Sequence, residues 1–464
     1  MKGSNLVSLI IAISLIGIAL AVFAGYSGHY LSSTKIGKVY SLNATTGKVY
    51  WNFTTMVGST GGAGVWGSVI GDPNLGSVYF GTGSAYTKGS DTLYAYSIIS
   101  LNATTGKLKW YYRAHTTMAN GDDKDFGSTP NLFSLTVNGT VYNAIGLGSK
   151  DGNYYTINRI NGTLLEKSAI MTGNAEGGII GLAGFIYPYG NTNPELFIPV
   201  YGGPANNATC CGFVEAFAPS NNSVMWRFNT SGDVFGSVAV IPGAVLFGDN
   251  KGNLYAVSIK SGKQLFRTTL NSMIEGGITV AEGHVLVPTS FGPDSVGLYA
   301  YSESGPTSLN GGSDWTSFLF DNNDSRYQEN SVINSSNVDG LTQAWVIKTQ
   351  NSITSTPLVL NGSVYFADFG GNIYSANIMN GRINWKTYLG NTPISSTLLL
   401  ADGKVYAGDG LGQAKVFALN QSNGNLIWIT TLETGRNGDN GVWASPTLIN
   451  GRIYIGVANY GGSV

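Results

Sequence analysis

The chain has 464 residues with 25 basic against 26 acidic side chains, so it carries no electrostatic footprint for nucleic acid. Sixty-five glycines against 14 prolines, with 12% aromatic residues, fit tight turns in a folded β protein rather than disorder. Three scattered histidines (His29, His115, His284) and the lack of a Cys-x-x-Cys-His run exclude a zinc or haem constellation, and no P-loop, dinucleotide fingerprint or nucleophile elbow is present.

In chain order, residues 6–24 (LVSLIIAISLIGIALAVFA) come first, an uncharged apolar run behind Lys2. At about 19 residues it is long enough to span a bilayer as a helix, and Ala19-Leu20-Ala21 offers a cleavage pattern. The expectation is a signal peptide or a membrane anchor over 1–30, with residues 31–464 exported to the cell surface or beyond. Twelve Asn-x-Ser/Thr sequons, Asn43, Asn102, Asn161 and Asn361 among them, agree with export and glycosylation.

A hairpin pattern then recurs. Its clearest copies are KVYSLNATTGKVYW at 38–51, YSIISLNATTGKLKW at 96–110, GNIYSANIMNGRINW at 371–385 and AKVFALNQSNGNLIW at 414–428. Weaker copies start at 152, 212 and 252, and an eighth is split into GLYAYS at 297–302 and LTQAW at 341–345. Between them lies a second marker of small and apolar residues, as in VWGSVIGD at 65, DFGSTPNL at 125, SITSTPLV at 352 and VWASPTLI at 442, which also recurs eight times. The period and the all-strand content predict an all-β, eight-bladed β-propeller of four-stranded antiparallel blades, with an N-terminal hydrophobic helix. The first complete unit is an outer hairpin and the last an inner pair. Strands near 443–457 are therefore expected to pair with the strand near 37–43 and close the ring, which removes two open sheet edges. The two cysteines, Cys210 and Cys211, are adjacent; in an oxidising location they either join in a disulfide or stay reduced.

Residues 62–158 resemble the quinoprotein alcohol dehydrogenases, through GAGVWGSVIGDPNLGSVYFGTGSAY, SDTLYAYSIISLNATTGKLKWYY, DFGSTPNLF and GLGSKDGNYYTINR. The polyvinyl-alcohol dehydrogenase branch looks most similar. DWTSFLFDNNDSRYQENSVINSSNVDGLTQAW at 314–345 resembles the stretch that opens that family's propeller, which makes this chain look circularly permuted. The resemblance implies pyrroloquinoline quinone (PQQ) with Ca²⁺ on the propeller axis, oxidising a small-molecule or polymeric alcohol and passing electrons to an unnamed acceptor. It puts Trp66 under the quinone ring, Asp91 in the place of the catalytic base and Lys150 beside the quinone oxygens. Ser84 stands where an asparagine usually ligates calcium, and a hydroxyl is the weaker ligand. A glutamate ligand has no counterpart in VANYGGSV, and Thr354 replaces a glutamate before STP. Asp122, Asp123 and Asp125 with Lys124 read as a solvated acidic loop or a cation site. Two functions follow: a PQQ-dependent alcohol dehydrogenase, or a non-catalytic surface propeller for binding, adhesion or assembly.

Overall fold

The computed structural model describes residues 35–55, 61–84, 93–115, 124–171, 177–202, 211–292, 296–303, 314–410, 413–433 and 440–459. Its strands form eight antiparallel sheets, each built on four successive strands that run from the axis outward. Blade 2, for example, comprises Ile70–Asp72, Ser77–Gly81, Ser97–Asn102 and Leu108–Arg113. Blades 3 to 8 follow in chain order, starting at Asn131, Gly184, Ala239, Thr279, Leu358 and Leu399. Blade 1 is shared: Thr447–Ile449 and Arg452–Asn459 from the end of the chain pair with Lys35–Asn43 and Val49–Thr54 from its beginning. The closing register runs from Gly37 opposite Ala458 to Asn43 opposite Arg452, as the phase of the repeat predicts. The split eighth hairpin also forms, with Gly297–Ser302 against Thr342–Lys348. Among the described residues no helix is long and apolar enough to cross a membrane. Residues 6–24 lie outside the described residues.

The second and third strands are largely buried on both faces and carry the core, apart from the exposed first half of Thr140–Gly148, whereas the fourth is mostly exposed or half-buried. The recurring tryptophan explains why. In every blade the register slips between the third and fourth strands beside the residue that faces this position. That residue is always small: Ser41, Ser100, Ala216, Ala300, Ser375 and Ala418 face Trp51, Trp110, Trp226, Trp345, Trp385 and Trp428. A bulge re-aims a side chain, and here it sends each indole sideways onto the next blade. All six indole N–H groups donate to a carbonyl of the neighbouring hairpin, from 2.6 Å at Ile259 and Ile378 to 3.3 Å at Ala44. The glycine of that hairpin turn has positive φ, and a β-carbon on it would stand only 2.5–2.9 Å from the indole. The TTG-then-Trp spacing is therefore a contact between blades, repeated around the ring. Glu166 and Phe266 take the tryptophan's place in blades 3 and 5. They face a turn with Asn222 instead of glycine at positive φ, and the long 303–341 connection that replaces blade 6's turn.

Nearer the axis, hydroxyls join the blades. Backbone N–H groups of Ser68, Leu182, Thr356, Thr397 and Ser445 donate at 2.8–3.3 Å to Thr129, Ser237, Thr397, Ser445 and Ser68 hydroxyls on adjacent blades. This is why the second marker is rich in Ser and Thr.

Farther along the first strands, residues 314–328 cross the ring as a plug. Trp315 bridges Val359, and backbone bonds link Thr316, Asn323, Ser325 and Arg326 to Leu400, Leu132, Phe185 and Val240. Arg326 is fully buried, its Nε donating to the Val238 carbonyl at 2.5 Å and Nη2 to Ile278 at 3.3 Å.

Buried Asp409 gives the fold a pH signature. Its carboxylate accepts N–H bonds from Lys415 at 2.7 Å and Gln413 at 3.4 Å, but burial dominates and pushes it up to about 6. The folded state then holds this proton more tightly than the unfolded chain, so the group's stabilisation is complete below pH ~4 and lost as pH rises to about 6. Urea unfolding at pH 4, 5, 6 and 7 is expected to show Asp409→Asn losing about 2–3 kcal/mol less than the parent across that window.

Candidate axial site

Four links between strands converge at one mouth of the ring, where blades 2 and 3 adjoin. Trp66 lies on the link before Ile70–Asp72 and Asp125 on the matching link before Asn131–Val137. Ser84 follows Ser77–Gly81 and Lys150 follows Thr140–Gly148. Local bonding fixes each. Ala63, at φ 58, donates to the Ser84 carbonyl at 2.8 Å, and Gly83 donates to the Gly64 carbonyl at 2.9 Å, zipping the first and third of these links together. The Lys150 N–H donates to the Asp125 carbonyl at 2.9 Å.

Asp125 is the hub. It is buried, and its Oδ2 accepts the Trp66 indole N–H at 3.1 Å while its Oδ1 accepts the Ser84 hydroxyl. The Lys150 ammonium stands 5.4 Å from the centre of the Trp66 ring, within cation–π range. Trp66 lies over Gly127, where any β-carbon would collide with its benzo edge. Half-exposed, it leaves aromatic surface toward the mouth. Next to Lys150, Asp151 accepts from the Tyr155 hydroxyl at 2.6 Å and lies 2.9 Å from His115 Nε2. Burial alone would raise the Asp151 carboxyl; hydrogen bonds from His115, Tyr155 and Asn153 outweigh it and hold the group down at about 2. That charged anchor pins the loop that presents Lys150.

Of the residues expected from the sequence, Trp66, Ser84 and Lys150 are thus brought together. Asp91 and Cys210 lie outside the described residues, as do Asp122 and Asp123. Cys211 carries no free thiol, and its Sγ lies 3.2 Å from the Ser231 carbonyl, in blade 4. Asp125 departs from the solvated-loop reading: it is buried because it starts the marker DFGSTPNL, in phase with the first strand rather than with the loop before it. That phase was the available signal.

The residues present suit a planar anionic ring, with an indole face for stacking and an ammonium for its oxygens. They do not make a calcium cage. Among the described residues no cluster of three or more His, Cys, Asp or Glu could hold a metal, and the Ser84 hydroxyl is engaged by Asp125.

Comparisons with known proteins divide the chain into two stretches. The family model for the glucose/ethanol/alcohol dehydrogenase β-propeller domain matches residues 27–169, the stretch holding the whole cluster. The model for outer membrane protein assembly factor BamB matches 212–318 and 325–463. Quinohemoprotein alcohol dehydrogenase ADH IIB of Pseudomonas putida is 30% identical over 165 residues, covering 28% of this chain and only 23% of that protein. BamB of Yersinia pestis is 23% identical over 264 residues, covering 52% of this chain and 61% of its own length. The crystal structure of BamB from Moraxella catarrhalis superposes with a TM-score of 0.51 at 12% identity, covering 86% of this chain and 95% of that one, and so supports the fold. The second model alone spans more than half of the chain, so the chain belongs to the PQQ_2 β-propeller family that it describes, while residues 27–169 are similar to the alcohol dehydrogenase propeller domain.

Proposed function

We infer that the axial mouth binds a planar quinone of the PQQ type and that the protein is an exported, quinoprotein-like oxidoreductase acting on an alcohol. The observation that carries this reading is the convergence of Trp66, Ser84, Asp125 and Lys150 inside the stretch matched by the alcohol dehydrogenase model. When bound, the quinone would supply the two-electron acceptor. The chain's own residues would do the rest: Trp66 offers the stacking face, Lys150 holds negative charge at the quinone oxygens, and Asp125 fixes the indole plane. Asp91 is proposed as the base that takes the alcohol proton, and Cys210 and Cys211 as a vicinal disulfide. Export through residues 6–24, by a cleaved leader or an anchor, belongs to the same reading.

Titration of the purified protein with PQQ, with and without Ca²⁺, tests it through quenching of tryptophan fluorescence. Saturable binding is expected, weakened about tenfold or more by Trp66→Ala and by Lys150→Met. No binding at micromolar PQQ overturns the reading. It would favour the second one, a propeller that scaffolds other proteins, which draws on the BamB model's match to more than half of the chain.

A further inference from the structure

The position held by Trp66 recurs once per blade, and its half-exposed occupants line the same mouth: Trp443, Trp66, Phe235, Glu275, Thr354 and Ser395. The register is set by the small or apolar residue before each, since Val65, Val234, Ile274 and Val442 are all buried. Blade 6, which carries Glu275, stands four blades from blade 2 in a ring of eight, so Glu275 faces Trp66 and Lys150 across the axis.

Glu275 is the one acidic residue in this axial row. Its Oε2 accepts the Ser290 hydroxyl at 2.6 Å, and among the described residues no other hydrogen bond or ion pair reaches the carboxylate. Burial raises its carboxyl above the usual range, with the Ser290 bond only partly offsetting it. Aromatic rings flank it on both sides. Phe235 occupies the matching position on blade 5 and meets Tyr201 edge-on at 5.9 Å. On the other side Phe291, next to Ser290, meets Phe369 edge-on at 6.2 Å. Ser352 holds that pair: its hydroxyl accepts the Phe291 N–H at 3.1 Å and its carbonyl the Phe369 N–H at 2.9 Å. Phe291 has φ 26, a costly conformation for a bulky residue, which this anchoring maintains.

We propose that this wall of the mouth is a recognition site for an organic cation, an alkylammonium group held by the Glu275 carboxylate and the half-exposed faces of Phe235, Phe291, Phe369 and Tyr201. A recessed carboxylate that meets no cationic partner among the described residues costs free energy that an ammonium ligand would offset. Aromatic faces favour quaternary ammonium over a strongly hydrated metal ion. The site needs no quinone. Joined to the quinone reading, on which this extension rests, it narrows the alcohol to one that carries positive charge.

Isothermal titration of the full-length protein without cofactor distinguishes the two. The probes are choline and its uncharged isostere 3,3-dimethylbutan-1-ol. Choline is expected to bind at least about tenfold more tightly than the isostere. Glu275→Gln should remove that difference without moving the thermal midpoint, and Phe291→Leu should weaken choline binding as well. Lys150→Met, which weakens PQQ binding, should leave choline binding intact. Equal affinity for the two probes, no choline binding, or an unaltered difference in Glu275→Gln would overturn the proposal, whatever the outcome with PQQ.

Discussion

Arg326→Ala is expected to destabilise the ring by about 3–5 kcal/mol, the range for stripping one member from a buried charged network. The guanidinium is enclosed by the Trp315 ring at 5.1 Å and the Phe318 ring at 5.7 Å, and it donates to carbonyls of Val238, Ile278 and Phe318. Truncation strands those carbonyls and empties a large volume at the centre of the fold. It also removes the charge that favours ionised Asp324, a buried carboxyl whose two oxygens have no hydrogen-bond partner among the described residues. Burial already holds that carboxyl well above the usual range, with Arg326 opposing the rise. Without the arginine it rises further. Parent and variant both lose stability as pH rises towards the folded-state value of this carboxyl; the variant, with the higher value, goes on losing it after the parent has levelled off, so the defect should deepen as pH is raised through the parent's value. Guanidinium chloride unfolding over a series of pH values reads this directly. Adding Asp324→Asn, which tolerates the φ of 55 at this position, should recover part of the loss at the alkaline end of the series. A defect that is the same at every pH, and not relieved by the second substitution, would show that Asp324 does not sense Arg326.

Trp345→Ala is expected to cost about 3–5 kcal/mol, as for other buried aromatic truncations. The indole is buried, its N–H donates to the Ile378 carbonyl at 2.6 Å, and Gly381 is shaped around it. Glu166 holds the same repeat position in blade 3, opposite Thr156, but faces a hairpin without the glycine. Glu166→Ala should therefore change stability by less than about 0.5 kcal/mol. Thermal melts of the pair test whether the repeat position or the dock it makes is what matters. Similar losses in both would refute the inter-blade account.

These contacts also explain which parts of the molecule were legible from residues alone. The hairpin pattern could be read because strand alternation, the turn glycine and the tryptophan are local and recur. Even the closing blade was legible, because a phase offset at one end must be matched at the other. The plug was not. DWTSFLFDNNDSRY has neither strand nor helix period, since its backbone bonds go to several different blades rather than to one neighbour. At the axial site Trp66, Ser84 and Lys150 were visible through family resemblance, but their dependence on Asp125 was hidden by Asp122 and Asp123 beside it, which make a loop of it at first sight. Glu275 was missed for a related reason: a single carboxylate in IEGGITVA carries no local pattern, and gains meaning only when each blade is laid over the next.

The shared blade sets how the ring responds to force. Gly37 faces Ala458, so the strands leading to both ends of the described chain leave the closing sheet at the same rim, side by side. Tension between those ends would open the seven closing pairs like a zip, one after another, instead of loading them together in shear. A ring that is tightly bonded in every other direction thus has a designated seam.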